Sequence, residues 1–196
     1  MMIELQKRGC HNINFVTPTH FSPSIVAAIS IAAARGLVIP IVYNTSGYER
    51  VEVIKLLSGI VDIYLPDAKY ADNDVAQCLS GFSKYVENNR TALKEMYSQT
   101  GNLVTSGGIA LKGLIIRHLI LPGGLAGTHD VLRFIAEELS PDIHVSLMDQ
   151  YFPANRALAH GVISRRITAD EYGEALESFY KSGLHNGWIQ DHTNSV

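Results

Sequence analysis

Cysteine is nearly absent: 196 residues hold only Cys10 and Cys78. That excludes a disulfide scaffold and makes a reducing cytoplasm the expected compartment. The pair does not stand at metal-ligand spacing either. Charge is in short supply, at 18% of residues and a formal net charge of −3. No overall basic field exists to draw nucleic acid, so no such partner is expected. Long apolar runs are missing too. The longest, from Ile25 to Ala34, is far too short to cross a bilayer, and no membrane partner is expected. No secretory leader is legible at the start. Neither common nucleotide fingerprint can be read, and neither can a Ser–His–Asp or G-x-S-x-G arrangement. No linker or low-complexity stretch divides the chain, so residues 1–196 are expected to form a single domain.

What is present is a phrase that recurs about five times. A short β-branched run ends in a knot of polar residues, and a helix follows. The phrases are HNINFVTPTH (11–20), LVIPIVYNTSG (37–47), VDIYLPDAKY (61–70), LIIRHLILPGG (114–124) and HVSLMDQY (144–151). Short runs rich in Ile and Val read as strands buried on both faces. Their alternation with helices implies parallel pairing and right-handed crossovers. Ligand sites in such folds gather at the carboxyl ends of the strands. Those ends carry Thr17, Thr19, His20, Asn44, Thr45, Asp67, Lys69 and Asp149.

The intervening helices are punctuated. Ser22 and Pro23 read as a cap and a first-turn proline, with Gly36 as a left-handed stop. Ile25, Ala28, Ile29, Ala32 and Ala33 form a narrow apolar stripe suited to packing on a sheet. Further helices are expected over 49–57, over 83–99, and from a Thr128 cap through Leu139. Thr168 and Glu171 have capping-box spacing for the last helix, which ends at Gly183. A hairpin is expected at Ser106-Gly107-Gly108. Residues 1–8 read as the last turns of a helix ended by Gly9, whereas α/β domains usually open on a strand.

Asp67 and Lys69 leave one strand on the same face, where a carboxylate and an ammonium can clamp a zwitterion. Arg117 lies inside a buried strand, where a charge is costly unless paired, so a carboxylate partner, from the protein or from a ligand, is expected. The loop PGGLAGT (122–128) offers backbone N–H groups to an anion. His20 is a possible donor or metal ligand.

The strings GCHNINFVTPTHF (9–21), IPIVYNTSGYE (39–49), GIVDIYLPDAKY (59–70), IIRHLILPGGLAGT (115–128) and MDQYFPA (148–154) resemble radical S-adenosylmethionine proteins. The nearest branch is the group similar to pyruvate formate-lyase activating enzyme. The resemblance covers roughly residues 9 to 155, leaving 156–196 as a C-terminal helical segment. It implies an α/β fold of the partial (β/α) barrel kind. About five parallel strands with outer helices are expected, the first βα unit of the family being missing. Family members hold a [4Fe–4S] cluster on C-x-x-x-C-x-x-C just after the first strand. They cleave S-adenosylmethionine to a 5′-deoxyadenosyl radical, which abstracts a hydrogen, often from a glycyl radical enzyme. That motif is absent here, and two cysteines cannot supply three thiolates. No cluster is therefore expected in this chain, and binding of S-adenosylmethionine is expected to be weak.

The resemblance also implies which residues would bind. Asp67 and Lys69 match the aspartate and lysine that contact the carboxylate end of S-adenosylmethionine. Asn44 and Thr45 stand where the family has an Asp-Thr pair. Thr17, Thr19 and His20 fall where a Gly-Gly-Glu motif receives the ligand's amino group. His118 and Tyr151 fall where ribose or adenine is contacted. No catalytic residue and no metal ligand is assigned.

The leading expectation is a fragment of a radical S-adenosylmethionine activase, inactive alone. A second is a non-catalytic binding or assembly module. A third is a barrel hydrolase with a metal on His20, Asp67, His118 and Asp149. The 12–17 strand would be an unprotected sheet edge, so a homodimer through that edge is expected.

Overall fold

The computed structural model describes residues 1–189. A helix, α1 (Met2–Lys7), precedes β1 (Ile13–Val16), α2 (Ser22–Ala33), β2 (Ile41–Thr45), α3 (Val51–Leu56) and β3 (Ile63–Pro66). Then come α4 (Asn73–Ser80), α5 (Tyr85–Thr100), β4 (Val104–Ser106), β5 (Ile109–Leu119), α6 (Thr128–Glu138) and β6 (His144–Met148). The last elements are α7 (Ala169–Lys181) and β7 (Asn186–Ile189). Among the described residues the sheet has seven strands in the order β1-β2-β3-β5-β6-β7, with β4 pairing antiparallel to β5. β1 with β2, β2 with β3, β3 with β5, and β6 with β7 are parallel. The expected α/β class with its parallel sheet is what the chain adopts.

Contacts divide the chain into two compact units. The first comprises Met1–Pro66 and Asn88–Ile115, the second Asp67–Glu87 and Ile116–Val196. In the first, Ile41, Val42, Tyr43, Ile63 and Tyr64 are buried, as are Leu93 and Met96 of α5. In the second, Val145 and Leu147 of β6 are buried, as are Leu132, Ile135 and Phe179 from α6 and α7. Alternation along β6 (intermediate, buried, intermediate, buried, intermediate) shows that it has one apolar face. Burial also pushes the phenols of Tyr43, Tyr64 and Tyr85 above their usual range.

Five sequence expectations are modified. Ser22 is not the cap of α2, which starts from Phe21 after a 3-10 turn over Thr19–Phe21. Its hydroxyl donates backward to the carbonyls of Pro18 and Thr19, at 3.3 and 3.0 Å, because the chain is already helical there. The apolar stripe of α2 is not buried as a stripe: of the helix, only Ser22 and Ala32 are buried. Thr128 is the first residue of α6 rather than its cap, which is Gly127 in the left-handed region. α4 was not anticipated; Asp72 caps it by accepting from the amides of Asp74 and Val75. Beyond the helix expected in 156–196, residues 186–189 form a strand. Gly187 makes β7 possible, because a Cβ there would lie 2.0 Å from the carbonyl oxygen of Val145.

Other local readings hold. Ser106 pairs with Ile109 across Gly107 and Gly108, whose φ of 57° and 79° suit a two-residue hairpin turn. Thr168 and Glu171 close the capping box of α7. α1 does end at Arg8, and Gln6 ties it to the Gly36 carbonyl and the amides of Val38 and Ile39.

Candidate functional site

In the first unit, the ends of β1 and β2 are joined by a carboxylate that sequence reasoning passed over. Glu49 is only 3% exposed. One oxygen, Oε1, accepts from Thr19 Oγ1 at 2.5 Å and from Thr45 Oγ1. The other, Oε2, is buried and has no hydrogen-bond partner. This leaves an acceptor that a cation or an N–H group can satisfy. Its signal in sequence is a glutamate four residues after Thr45, within reach across a Gly-containing turn. Thr17 stands at the strand end with φ 52°, strained for a β-branched residue, and its amide donates to the Asn44 carbonyl at 2.8 Å. His20 is exposed. Among the candidates of this unit, Thr19 and Thr45 are thus brought together, both turned onto Glu49.

In the second unit, Asp67 is flanked by two cations. Arg117 Nη2 lies 2.7 Å from Oδ1 and Lys69 Nζ 3.4 Å from Oδ2. The carboxylate partner expected for Arg117 is therefore Asp67, held by the parallel bridge between these two residues. One carboxylate against two cations leaves a local excess of one positive charge. The Asp67 side chain is 16% exposed and that of Lys69 36%, so the excess is within reach of solvent. Arg117 Nε is buried without a partner. The Lys69 backbone is fixed by its amide, which donates to the buried hydroxyl of Tyr85 at 2.8 Å. A cavity of about 210 Å³ opens here, lined by Asp67, Lys69, Tyr70, Leu119, Leu121, Met148 and Tyr151. It has a charged end and apolar walls. Tyr151 fixes its own hydroxyl on the Ile163 carbonyl at 2.8 Å.

His118 does not line this cavity. It is fully buried, with Nδ1 2.6 Å from the Ala68 carbonyl and Nε2 2.9 Å from Thr128 Oγ1. A carbonyl only accepts, so Nδ1 carries the proton and Nε2 accepts from Thr128. Desolvation lowers its pKa to about 4, so the ring is neutral. Both nitrogens are spent, which leaves none for ribose or adenine in this arrangement.

The glycine loop before α6 already meets an anion. Gly123 N–H donates to Glu171 Oε1 at 2.7 Å, and Arg165 grips both oxygens of that carboxylate. Arg165 above all holds the Glu171 carboxyl down at about 2.

Among the described residues, no three of His, Cys, Asp and Glu stand where they could hold a metal ion. The four-residue hydrolase set is not assembled. Cys10 and Cys78 are both exposed and unbonded. These residues do not fit a three-thiolate cluster. Among the described residues, no helix is long and apolar enough to cross a membrane.

No family model matches the chain. Over 179 residues it is 32% identical to an uncharacterised protein of Methanocaldococcus jannaschii, a match covering 88% of this chain and 47% of that protein. The chain thus spans about half the length of the curated relative it matches. It is also similar to a solved domain of pyruvate-formate lyase-activating enzyme from Bacteroides vulgatus. The TM-score is 0.62 at 13% identity, covering 92% of this chain and 98% of that one. The chain has the fold of that activating-enzyme domain.

Proposed function

We propose that this chain is a radical S-adenosylmethionine activase-like protein whose second unit takes the amino-acid end of S-adenosylmethionine. The observation that carries this reading is the Asp67–Lys69–Arg117 cluster at the charged end of an otherwise apolar cavity. Lys69, with the local excess of positive charge, takes the ligand's carboxylate. Asp67 orients Lys69 and faces the ammonium or sulfonium. Leu119, Leu121, Met148 and Tyr151 offer apolar walls to the thioether chain. Asn44 stands where the family has an aspartate, and Glu49 returns a carboxylate to the same loop. Thr17, Thr19, His20, Thr45 and His118 are assigned no direct contact.

S-adenosylmethionine would supply the adenosyl group for a hydrogen abstraction, with a glycyl radical enzyme as the protein substrate. The electron for that chemistry has no holder among this chain's cysteines. A specific observation, that the chain's two cysteines are too few for a three-thiolate cluster, favours a second reading: a ligand-binding or assembly module without chemistry of its own.

Calorimetry with S-adenosylmethionine tests the site. A charge-assisted hydrogen bond is worth about 1.5–3 kcal/mol, so Lys69→Ala is expected to weaken binding roughly 10- to 100-fold. Equal affinity in parent and variant refutes the placement. A polypeptide bearing C-x-x-x-C-x-x-C, added in trans with iron, sulfide and reductant, separates the two readings. 5′-Deoxyadenosine formed only with both chains supports the activase. Binding without cleavage supports the module.

A further inference from the structure

From Asn12 to Ala34 the chain contains no Asp, Glu, Lys or Arg. This stretch forms β1, the 3-10 turn and α2 of the first unit. Of its 23 residues only Ile13, Pro18, Ser22 and Ala32 are buried. Val16 and Phe21 are each 66% exposed, Ile31 is 58% exposed, and Val38 just beyond is 84% exposed. A helix that is apolar on all sides belongs in an interior, yet α2 offers Ala27, Ala28, Ile31 and Ala33 to solvent.

The strand before it is equally open. β1 ends the strand order and pairs only with β2 among the described residues. The amides of Ile13 and Thr17 donate to the carbonyls of Pro40, just before β2, and of Asn44 within it. In a strand, alternate amides point to opposite edges. Those of Asn14 and Val16 therefore point away from β2. α1 does not cover them, because Gln6 pins it to Gly36, Val38 and Ile39 instead.

We propose that this face binds a second copy of the same chain, β1 against β1 in antiparallel pairing with the two α2 helices beside it. Three observations select this occupant. First, a twofold axis through Phe15 sets Asn14 opposite Val16 of the other copy, so the outward amides and carbonyls of each copy satisfy those of the other. Second, a surface facing itself brings like charges together, and this one has none to oppose. Third, Val16, Phe21 and Ile31 within this uncharged stretch are large apolar side chains more than half exposed, the kind of residue that forms the core of an interface. One closed pair uses both edges, so association stops at two.

Light scattering at several concentrations is the test, on the parent and on two variants. Asn14→Pro removes an outward amide and no bond to β2. Ile31→Glu adds a charge to an exposed position of α2. Circular dichroism checks that both remain folded. The parent is expected to reach twice the 21.5 kDa chain mass, independently of salt. Both variants should return to 21.5 kDa. A parent that stays at 21.5 kDa throughout overturns the proposal and leaves the face to a different polypeptide. It is equally overturned by a pair that survives both substitutions, or by a mass that climbs past two copies.

Discussion

Thr17 holds φ at 52° where β1 ends, a conformation that costs a β-branched residue about 1–2 kcal/mol. Asparagine visits that region readily. Thr17→Asn is therefore expected to raise stability by about 1 kcal/mol in urea unfolding; a loss would mean that the hydroxyl has a partner worth more than the strain. Glu49 behaves in the opposite way. Glu49→Ala leaves the hydroxyls of Thr19 and Thr45 without their acceptor and should cost about 2 kcal/mol or more. His118 sets a pH dependence. Its folded pKa of about 4 lies below the unfolded 6.5, so between these values the unfolded chain binds the extra proton. Stability is full above pH 6.5 and falls as pH drops toward 4, by on the order of 3 kcal/mol. His118→Asn is expected to be less stable at neutral pH and nearly flat across that window. Unfolding midpoints at stepwise pH read this directly; a variant with the parent's slope would assign it elsewhere.

Elements divide according to whether their determinants are local. The five apolar runs became β1, β2, β3, β5 and β6; β2 and β3 are buried on both faces, whereas β6 alternates and β1 is buried only at Ile13. The Gly107-Gly108 hairpin and the Thr168–Glu171 box were legible because each is specified within four residues. β7 was not, since Asn-Gly-Trp-Ile lacks an alternating pattern and pairs only because Gly187 lets the β6 backbone approach. Gly187→Ala should therefore detach β7 and cost several kcal/mol; tryptophan fluorescence follows it, Trp188 being the chain's single indole. That Arg117 meets a carboxylate was anticipated from the cost of a lone buried charge; that Asp67 supplies it was not. The Glu49 bond to two threonines was not, because a glutamate in a turn carries no comparable signal. Thr168→Ala should cost about 1 kcal/mol. Glu171 adds an acid dependence distinct from that of His118. Its carboxyl, lowered to about 2, stabilises the fold above its unfolded pKa of 4.5 and loses that effect as pH falls toward 2.

At the scale of the whole chain, the two compact units could not be seen in composition. No linker separates them: β5 runs from Ile109 in the first to Leu119 in the second, and α5 from Tyr85 in the second to Thr100 in the first. A scan for Gly-, Pro- or Ser-rich joints has nothing to find where shared elements make the connection. Cysteine content has a plainer whole-molecule consequence. Purified protein reconstituted anaerobically with iron and sulfide is expected to be colourless and to yield no 5′-deoxyadenosine when reduced alone. Visible absorbance with about four irons per chain would reverse that expectation.

The buried phenols give the protein a spectrum that responds to its own unfolding. Tyr43 and Tyr64 lie in the first unit and Tyr85 in the second, all three displaced upward by burial, among nine tyrosines in total. An exposed phenol ionises near pH 10 and gains ultraviolet absorbance as phenolate. Tyr43, Tyr64 and Tyr85 will gain theirs only when alkali opens the chain around them, and their absorbance will lag on the way up and persist on the way down. One late step means that both units open together; two late steps mean that they open separately. No label or added chromophore is needed to read the cooperativity of this chain.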